Sequence, residues 1–123
     1  MSLEQLSKKL LKNSVILNII SQYNYIKIIL NNDDYILITD ITEPKCCEKT
    51  IIEHDFKNYK NSIIDYIYDE DMISIKGGYS TKIIFKTIDG KTFNVNCSNY
   101  HNGQYCHTYY VLYLDTKLLE FEV

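Results

Sequence analysis

The 123-residue chain contains no tryptophan, no arginine and a single proline. All 13 of its basic side chains are therefore lysines, and its formal net charge is −3. Proteins that bind nucleic acids rely on clustered basic charge and on the two-pronged hydrogen bonds that arginine makes to phosphate. The composition thus predicts that neither DNA nor RNA is the partner.

Long apolar runs are also missing. No stretch approaches the ~18 apolar residues that a membrane span needs, and the amphipathic segment 1–12 does not have the apolar core of a signal peptide. We therefore expect a cytoplasmic protein without a membrane partner, in the host cytoplasm if the gene is viral. In that compartment thiols stay reduced unless a metal or catalysis claims them. The length predicts a single domain over 1–123.

Periodicity predicts an α+β fold. Leu3, Leu6 and Leu10 follow helical spacing, and Ser2 with Gln5 forms a capping-box pattern, so a short N-terminal helix is expected. A second helix is predicted over 58–68, where Tyr59, Ile63 and Ile67 recur at the same period. Most other segments alternate with period two, which is typical of strands. These strands are predicted over 15–20, 25–30, 35–39, 49–54, 82–88, 93–98, 105–114 and 119–123. In two of them the residues that share a face are Ile26, Ile28 and Leu30, and Phe93, Val95 and Cys97.

Turn signals separate these strands. Asp33 and Asp34 end a polar turn, and Asp89-Gly90 and Asn102-Gly103 are typical hairpin dipeptides. The prediction is a mostly antiparallel sheet of about six to eight strands, with a short N-terminal helix and one short internal helix.

Four cysteines are the main candidates for a metal site, with His54, His101 and His107 in reserve. Structural zinc is held by pairs spaced from C-x₂-C to C-x₄-C, whereas here the first pair is adjacent and the second is separated by eight residues. Neighbours on a strand also face opposite sides, which separates the first two sulfurs. We therefore expect reduced, largely buried thiols, no metal and no cofactor. The four cysteines are Cys46, Cys47, Cys97 and Cys106.

The common enzyme signatures are absent. There is no Walker loop, no dinucleotide-binding glycine fingerprint, no G-x-S-x-G and no H-E-x-x-H. Cys106 and His107 are neighbours and would face opposite ways on a strand, so they do not form a nucleophile and base pair locally. The question of catalysis stays open at this stage, and the missing signatures favour a protein that is not an enzyme.

Aromatic residues are the remaining candidates for a binding surface. In the predicted strand 105–114 one face carries three of the four tyrosines and a histidine, while Leu112 and Leu114 on the other face make the better core. Tyrosine suits protein recognition or stacking on a ring. The alternative is an ordinary sheet exterior, rich in tyrosine because of AT-rich codon usage. The candidate binding residues are Tyr100, His101, Asn102, Tyr105, His107 and Tyr109.

Several short motifs resemble a family of small phage and bacterial domains of unknown function. That family shows a Cys-Cys-Glu motif after a hairpin, a T-x-x-G step and a late N-G-Y-Y-S loop. The matching segments here are Cys46-Cys47-Glu48, Thr87-Ile88-Asp89-Gly90 and Asn102-Gly103-Gln104-Tyr105-Cys106. The chain departs from the pattern at Thr42-Glu43-Pro44-Lys45, where the family has His and Gln-Asp, and it lacks the family's tryptophan. The resemblance implies the fold and a phage or viral gene context, and no activity.

These observations lead to one functional prediction and two alternatives. The prediction is a small non-enzymatic binding protein, a phage or viral accessory protein that inhibits a host defence factor by occupying it. The first alternative is a sponge or hydrolase for a nucleotide signal that uses the tyrosine and histidine face. The second alternative is a zinc-stabilised structural module. The partner would be a protein or a small nucleotide-like ligand, and association into a homodimer stays open.

Overall fold

The computed structural model of the chain describes residues 2–40, 43–44, 47–101 and 105–123. Within these residues lie one α-helix and ten strands. The helix is α1 (Leu3–Leu10). The strands are β1 (Ile16–Gln22), β2 (Tyr25–Leu30), β3 (Tyr35–Asp40), β4 (Lys49–His54), β5 (Ile64–Asp69), β6 (Ile73–Ile75), β7 (Gly78–Thr87), β8 (Thr92–Tyr100), β9 (Thr108–Tyr113) and β10 (Thr116–Glu122).

The strands form two antiparallel sheets. The first has the order β1-β2-β3-β9-β10, and the second has the order β4-β8-β7-β5, with β6 also paired to β7. The buried side chains of both sheets belong to one core cluster, in which isoleucine is the commonest residue. Because β-branched side chains pack well on a pleated surface, an isoleucine-rich chain with period-two patterning favours two facing sheets.

The N-terminal helix is confirmed, together with its capping box. Ser2 Oγ accepts a hydrogen bond from the Gln5 amide, and Gln5 Oε1 accepts one from the Ser2 amide. Leu3 and Leu11 enter the core. Helix α1 packs against β5 and β10, so it covers one end of each sheet.

The strand faces in the first hairpin and in β8 are also confirmed. Ile26, Ile28 and Leu30 of β2 are fully buried. In β8, Phe93, Val95 and Cys97, which were predicted to share one face, are at most 4 % exposed. Asp89-Gly90 lies in the turn that joins β7 to β8. Period-two alternation therefore identifies the inner face correctly wherever the strand is regular.

The predicted internal helix over 58–68 is wrong. Residues from Ile64 to Asp69 form strand β5, whose register against β7 shifts between Ile64 and Tyr66. A β-bulge of this kind places residues three positions apart on one face. Ile64 and Ile67 are both buried, so the bulge imitates helical spacing in the sequence. The only other helical turn in the described residues is a short 3₁₀ turn at Asn31–Asp33.

The strand count and one face assignment also need correction. The described part of the chain forms ten strands instead of the six to eight that the sequence predicts. In β9 and the residue before it, the face of His107 and Tyr109 is the buried one, since these residues are 3 % and 0 % exposed. β9 lies between β3 and β10, and its inner face meets the second sheet. Leu114, which was assigned to the core, is exposed.

Candidate functional site

A buried polar cluster joins the two sheets at one end of the molecule. Asp40 ends β3, Glu48 precedes β4, and His107 precedes β9. Because β3 pairs with β9, the first and third of these residues come from adjacent chain segments of one sheet. Val123 closes the group, since the backbones of His107 and Val123 exchange two hydrogen bonds of 3.0 Å.

His107 lies between two carboxylates. Its Nε2 is 2.5 Å from Asp40 Oδ2, and its Nδ1 is 3.9 Å from Glu48 Oε2. The exposed fractions of the Asp40 and Glu48 side chains are 7 % and 0 %. A buried charge is tolerated only when it is paired and hydrogen-bonded. The imidazole is the group that pairs with Asp40 across the strand ends.

Asn99 connects this cluster to the second sheet. Its side chain is fully buried on β8, and Nδ2 donates to Glu48 Oε1 at 3.1 Å and to the Val123 carbonyl at 3.0 Å. Asn99 Oδ1 has no hydrogen-bond partner within the described part of the chain. The side-chain amide of Asn99 thus links the Glu48 carboxylate to the backbone of Val123.

Tyr109 and Cys97 form the apolar floor next to the cluster. The Tyr109 hydroxyl donates to the Ser98 carbonyl at 2.8 Å, and its ring stacks on Phe121. Burial raises the pKa of Tyr109 far above its usual range. Burial also raises the pKa of the Cys97 thiol, and the nearby negative charge of Asp40 raises it further. Cys97 is therefore held as a neutral thiol, which is a poor nucleophile.

A cleft opens on the solvent side of the cluster. Its volume is about 450 Å³, within the range of ligand pockets. Tyr23, in the turn between β1 and β2, is 87 % exposed at this cleft. Because the Glu48 side chain is buried while the residue as a whole is partly exposed, Glu48 meets the cleft mainly through its backbone. The lining residues are Tyr23, Asn24, Asp40, Glu43, Pro44, Glu48, Lys49 and Thr50.

The structure separates the sequence-predicted binding residues into three groups. His107 and Tyr109 contact each other edge-to-face inside the protein. His101 contacts Tyr105, with ring centroids 5.8 Å apart, just beyond the end of β8. Tyr100 lines a separate groove of about 240 Å³ on that sheet. Asn102 lies outside the described residues.

The predicted cysteines are also dispersed. Cys97 is buried, whereas Cys47 and Cys106 are exposed, so the expectation of largely buried thiols holds for one of these three. Cys46 lies outside the described residues. Among the residues that can be described, no three His, Cys, Asp or Glu side chains are arranged to hold a metal ion.

Sequence reasoning missed most of the residues that build the cleft. Asp40 and Asn99 belong to no motif, Glu48 is only the last residue of the Cys46-Cys47-Glu48 motif, and Tyr23 is one of twelve tyrosines. Asp40 and His107 are 67 positions apart, so no local spacing could connect them. The one available signal was the position of Asp40 and Glu48 on either side of Pro44, where a strand must end.

Comparison with known proteins gives no match to a family model, to a curated protein or to a solved structure. The family resemblance in the sequence therefore stays a prediction. No helix within the described ranges is both long enough and apolar enough to cross a membrane.

Proposed function

We propose that this protein is a non-enzymatic binding protein that holds a basic segment of a partner protein in the cleft beside Tyr23. The observation that carries the proposal is the combination of an exposed aromatic ring and excess negative charge around one cleft. A lysine or arginine side chain is the ligand that matches both features.

The charge of the lining favours a cation. Asp40 and Glu43 contribute two carboxylates and Lys49 contributes one ammonium group, while the carboxylate of Glu48 lies buried behind the wall of the cleft. Clefts of one sign attract ligands of the other sign and raise their association rate. A phosphate group would be repelled, which counts against the alternative of a nucleotide sponge or hydrolase.

Tyr23 supplies an aromatic surface for the same ligand. A cation over a tyrosine ring gains about 0.5–1 kcal/mol at an exposed site and ~2 kcal/mol when it is desolvated. Tyrosine also adds contact area at low entropic cost, because it has few rotatable bonds. The ring and the carboxylates together would distinguish lysine or arginine from a neutral side chain.

The buried cluster keeps the cleft in shape. His107 and Asn99 hold the Asp40 and Glu48 side chains from the inside, so the walls come from segments of both sheets that are fixed to each other. A preorganised site loses less conformational entropy when it binds. Inhibition of a host factor by occupying it, as predicted from the sequence, would be one biological use of this cleft.

The test is an NMR titration at low ionic strength with two extended peptides of about six residues. One alternates arginine with serine, and the other alternates glutamate with serine. The arginine peptide is expected to shift the amide signals of Tyr23, Asn24, Lys49 and Thr50, and its affinity should fall as salt is added. The glutamate peptide should leave these signals in place.

Two variants test whether the arginine peptide binds in the cleft. Glu43→Gln and Tyr23→Ser are each expected to weaken binding of the arginine peptide by about 3–10-fold. The matched control is Tyr79→Ser, which removes a half-exposed tyrosine from the second sheet and should leave the affinity unchanged. Equal binding of both peptides, or equal affinity in the Glu43→Gln and Tyr23→Ser variants, would overturn the proposal.

A further inference from the structure

The outer strand β1 is an open edge of the first sheet. It pairs with β2 on one side. On the other side, within the described ranges, its beginning is bridged by the segment that precedes β5, through the Val15–Ile63 bridge and two hydrogen bonds to the Ile16 backbone. No described strand pairs with the rest of β1 on that side.

β1 lacks the features that protect the other edges. Natural edge strands are blunted by charged side chains, by short length or by a covering element. β4 and β10 carry charged residues, and β6 has three residues. On β5, Ser7 of α1 donates to the Ile67 carbonyl and accepts from the Ile67 amide, which covers that edge. The sequence from Asn13 to Ile26 contains no charge at all.

The hairpin geometry shows which backbone groups point outward. Gln22 and Tyr25 close a two-residue turn, and the closing pair of such a turn is hydrogen-bonded across the hairpin. Since hydrogen-bonded and non-hydrogen-bonded pairs alternate, Ile20 points its backbone groups toward β2, while Ile19 and Ser21 point theirs away. The Ile19 amide indeed donates to the Asn18 side chain at 2.9 Å.

The exposed side chains of this edge form a symmetric pattern. Leu17 and Tyr23 lie three residues before and after Ile20, and their exposed fractions are 44 %, 87 % and 37 % in that order. A two-fold axis through Ile20 would place Leu17 of one copy opposite Tyr23 of the other. The same axis would pair Ile19 with Ser21, the two residues whose backbone groups point outward.

We infer that β1 is a homodimer interface, in which the β1 strands of two copies pair antiparallel about Ile20 and join the two first sheets. The Ile19 and Ser21 backbones exchange hydrogen bonds between the copies on both sides of the axis. The two Ile20 side chains face each other at the closest approach of the strands. The Ile19 amide exchanges its bond with Asn18 for one with the second copy.

A second copy fits this edge better than a charged partner segment. The chain carries a net charge of −3, so two copies repel unless they meet where charge is absent. Among the described edge strands, β1 is a long strand that carries no charged side chain. An isologous contact also requires a surface that is complementary to itself, and the Leu17, Ile20 and Tyr23 pattern satisfies this requirement.

The experiment measures the mass of the full chain by sedimentation or light scattering, at concentrations up to on the order of 100 µM. A dimer of twice the 14.5 kDa chain mass is expected. Ile20→Lys places two like charges opposite each other and should weaken dimerisation by about tenfold or more. Ile88→Lys changes an exposed isoleucine in the turn after β7 and should leave the dimer intact.

A second variant tests the backbone pairing. Ser21→Pro removes an amide that faces away from β2, a position where an edge strand tolerates proline. It should give a folded monomer, with folding checked by circular dichroism. A wild-type chain that stays monomeric throughout the concentration range overturns the inference. A dimer that survives both Ile20→Lys and Ser21→Pro also overturns it.

This interface and the cleft are tested separately, although Tyr23 borders both. Glu43→Gln changes only the cleft and Ile20→Lys only the edge. A variant that loses peptide binding but still dimerises therefore reports on the cleft. A variant that loses the dimer but still binds the peptide reports on the β1 interface.

Discussion

The imidazole Nε2 of His107 lies 2.5 Å from the carboxylate Oδ2 of Asp40, and both side chains are almost completely buried. Removing one partner of such a pair leaves the other charge or polar group buried without compensation. Asp40→Ala is therefore expected to lower the free energy of unfolding by about 3–5 kcal/mol. Urea-induced unfolding followed by circular dichroism measures this change.

An exposed ion pair provides the control for Asp40. Lys117 and Glu120 lie 3.3 Å apart with half-exposed side chains, so Glu120→Ala should change stability by less than ~0.5 kcal/mol. If Asp40→Ala cost no more than Glu120→Ala, the His107 pair would contribute nothing to the junction of the sheets.

Ser7 is expected to stabilise the contact between α1 and β5. Its hydroxyl is fully buried and bonds both the amide and the carbonyl of Ile67. Ser7→Ala leaves these two backbone groups unsatisfied, which should cost about 1–3 kcal/mol in thermal or urea unfolding. Ser74→Ala, in the exposed strand β6, is the matched control and should be nearly neutral. A neutral Ser7→Ala would mean that water replaces the hydroxyl.

Gly78 and Gly90 should respond very differently to alanine. A Cβ on Gly78 would lie 2.0 Å from the backbone oxygen of Asn99, so β7 and β8 would have to separate. We expect Gly78→Ala to destabilise by more than ~4 kcal/mol or to prevent folding. Gly90 has a φ of +87° with open space around it, and Gly90→Ala should cost about 1 kcal/mol. Similar melting temperatures for the two variants would contradict the close approach.

The pKa of Asp89 is expected to rise when Thr87 is changed to valine. The Thr87 hydroxyl donates to the Asp89 carboxylate and lowers its pKa, and the charge of Lys91 lowers it further. Thr87→Val should therefore raise the Asp89 pKa more than Lys91→Gln does. Carboxyl ¹³C chemical shifts followed as a function of pH measure the Asp89 pKa in the wild type and in the two variants. An unchanged titration in Thr87→Val would exclude the hydroxyl as the cause.

The sign of this shift sets its effect on stability. Because the folded pKa is the lower one, the ionised Asp89 stabilises the native state above the unfolded pKa of about 3.9. This contribution is lost as the pH falls through the folded pKa. The wild type should thus lose stability on acidification below about pH 4 more steeply than Asp89→Asn does.

Regular alternation predicted the strands well, and irregular strands caused the errors. β4 was predicted with its observed bounds, and the inward residues of β2 and β8 were identified correctly. The bulge in β5 produced a false helix, because one inserted residue changes the apparent period from two to three.

Strand alternation in the sequence did not predict the candidate site. Tyr109 is buried because its hydroxyl reaches the Ser98 carbonyl in the other sheet. Nothing in the spacing of 105–114 indicates that this bond exists, and leucine on the opposite face looked like the better core. The face that a strand buries depends on what the other sheet offers to its polar atoms.

The sequence by itself determined the β-rich character, the N-terminal helix with its capping box and the inner faces of the regular strands, because these follow from short-range periodicity and local hydrogen bonds. Only the tertiary structure decided that β9 lies between β3 and β10, that His107 meets Asp40, and that β1 is an outer strand of the first sheet. Pairing between distant segments depends on the complementarity of whole surfaces, and residues 67 positions apart carry no local mark of their contact.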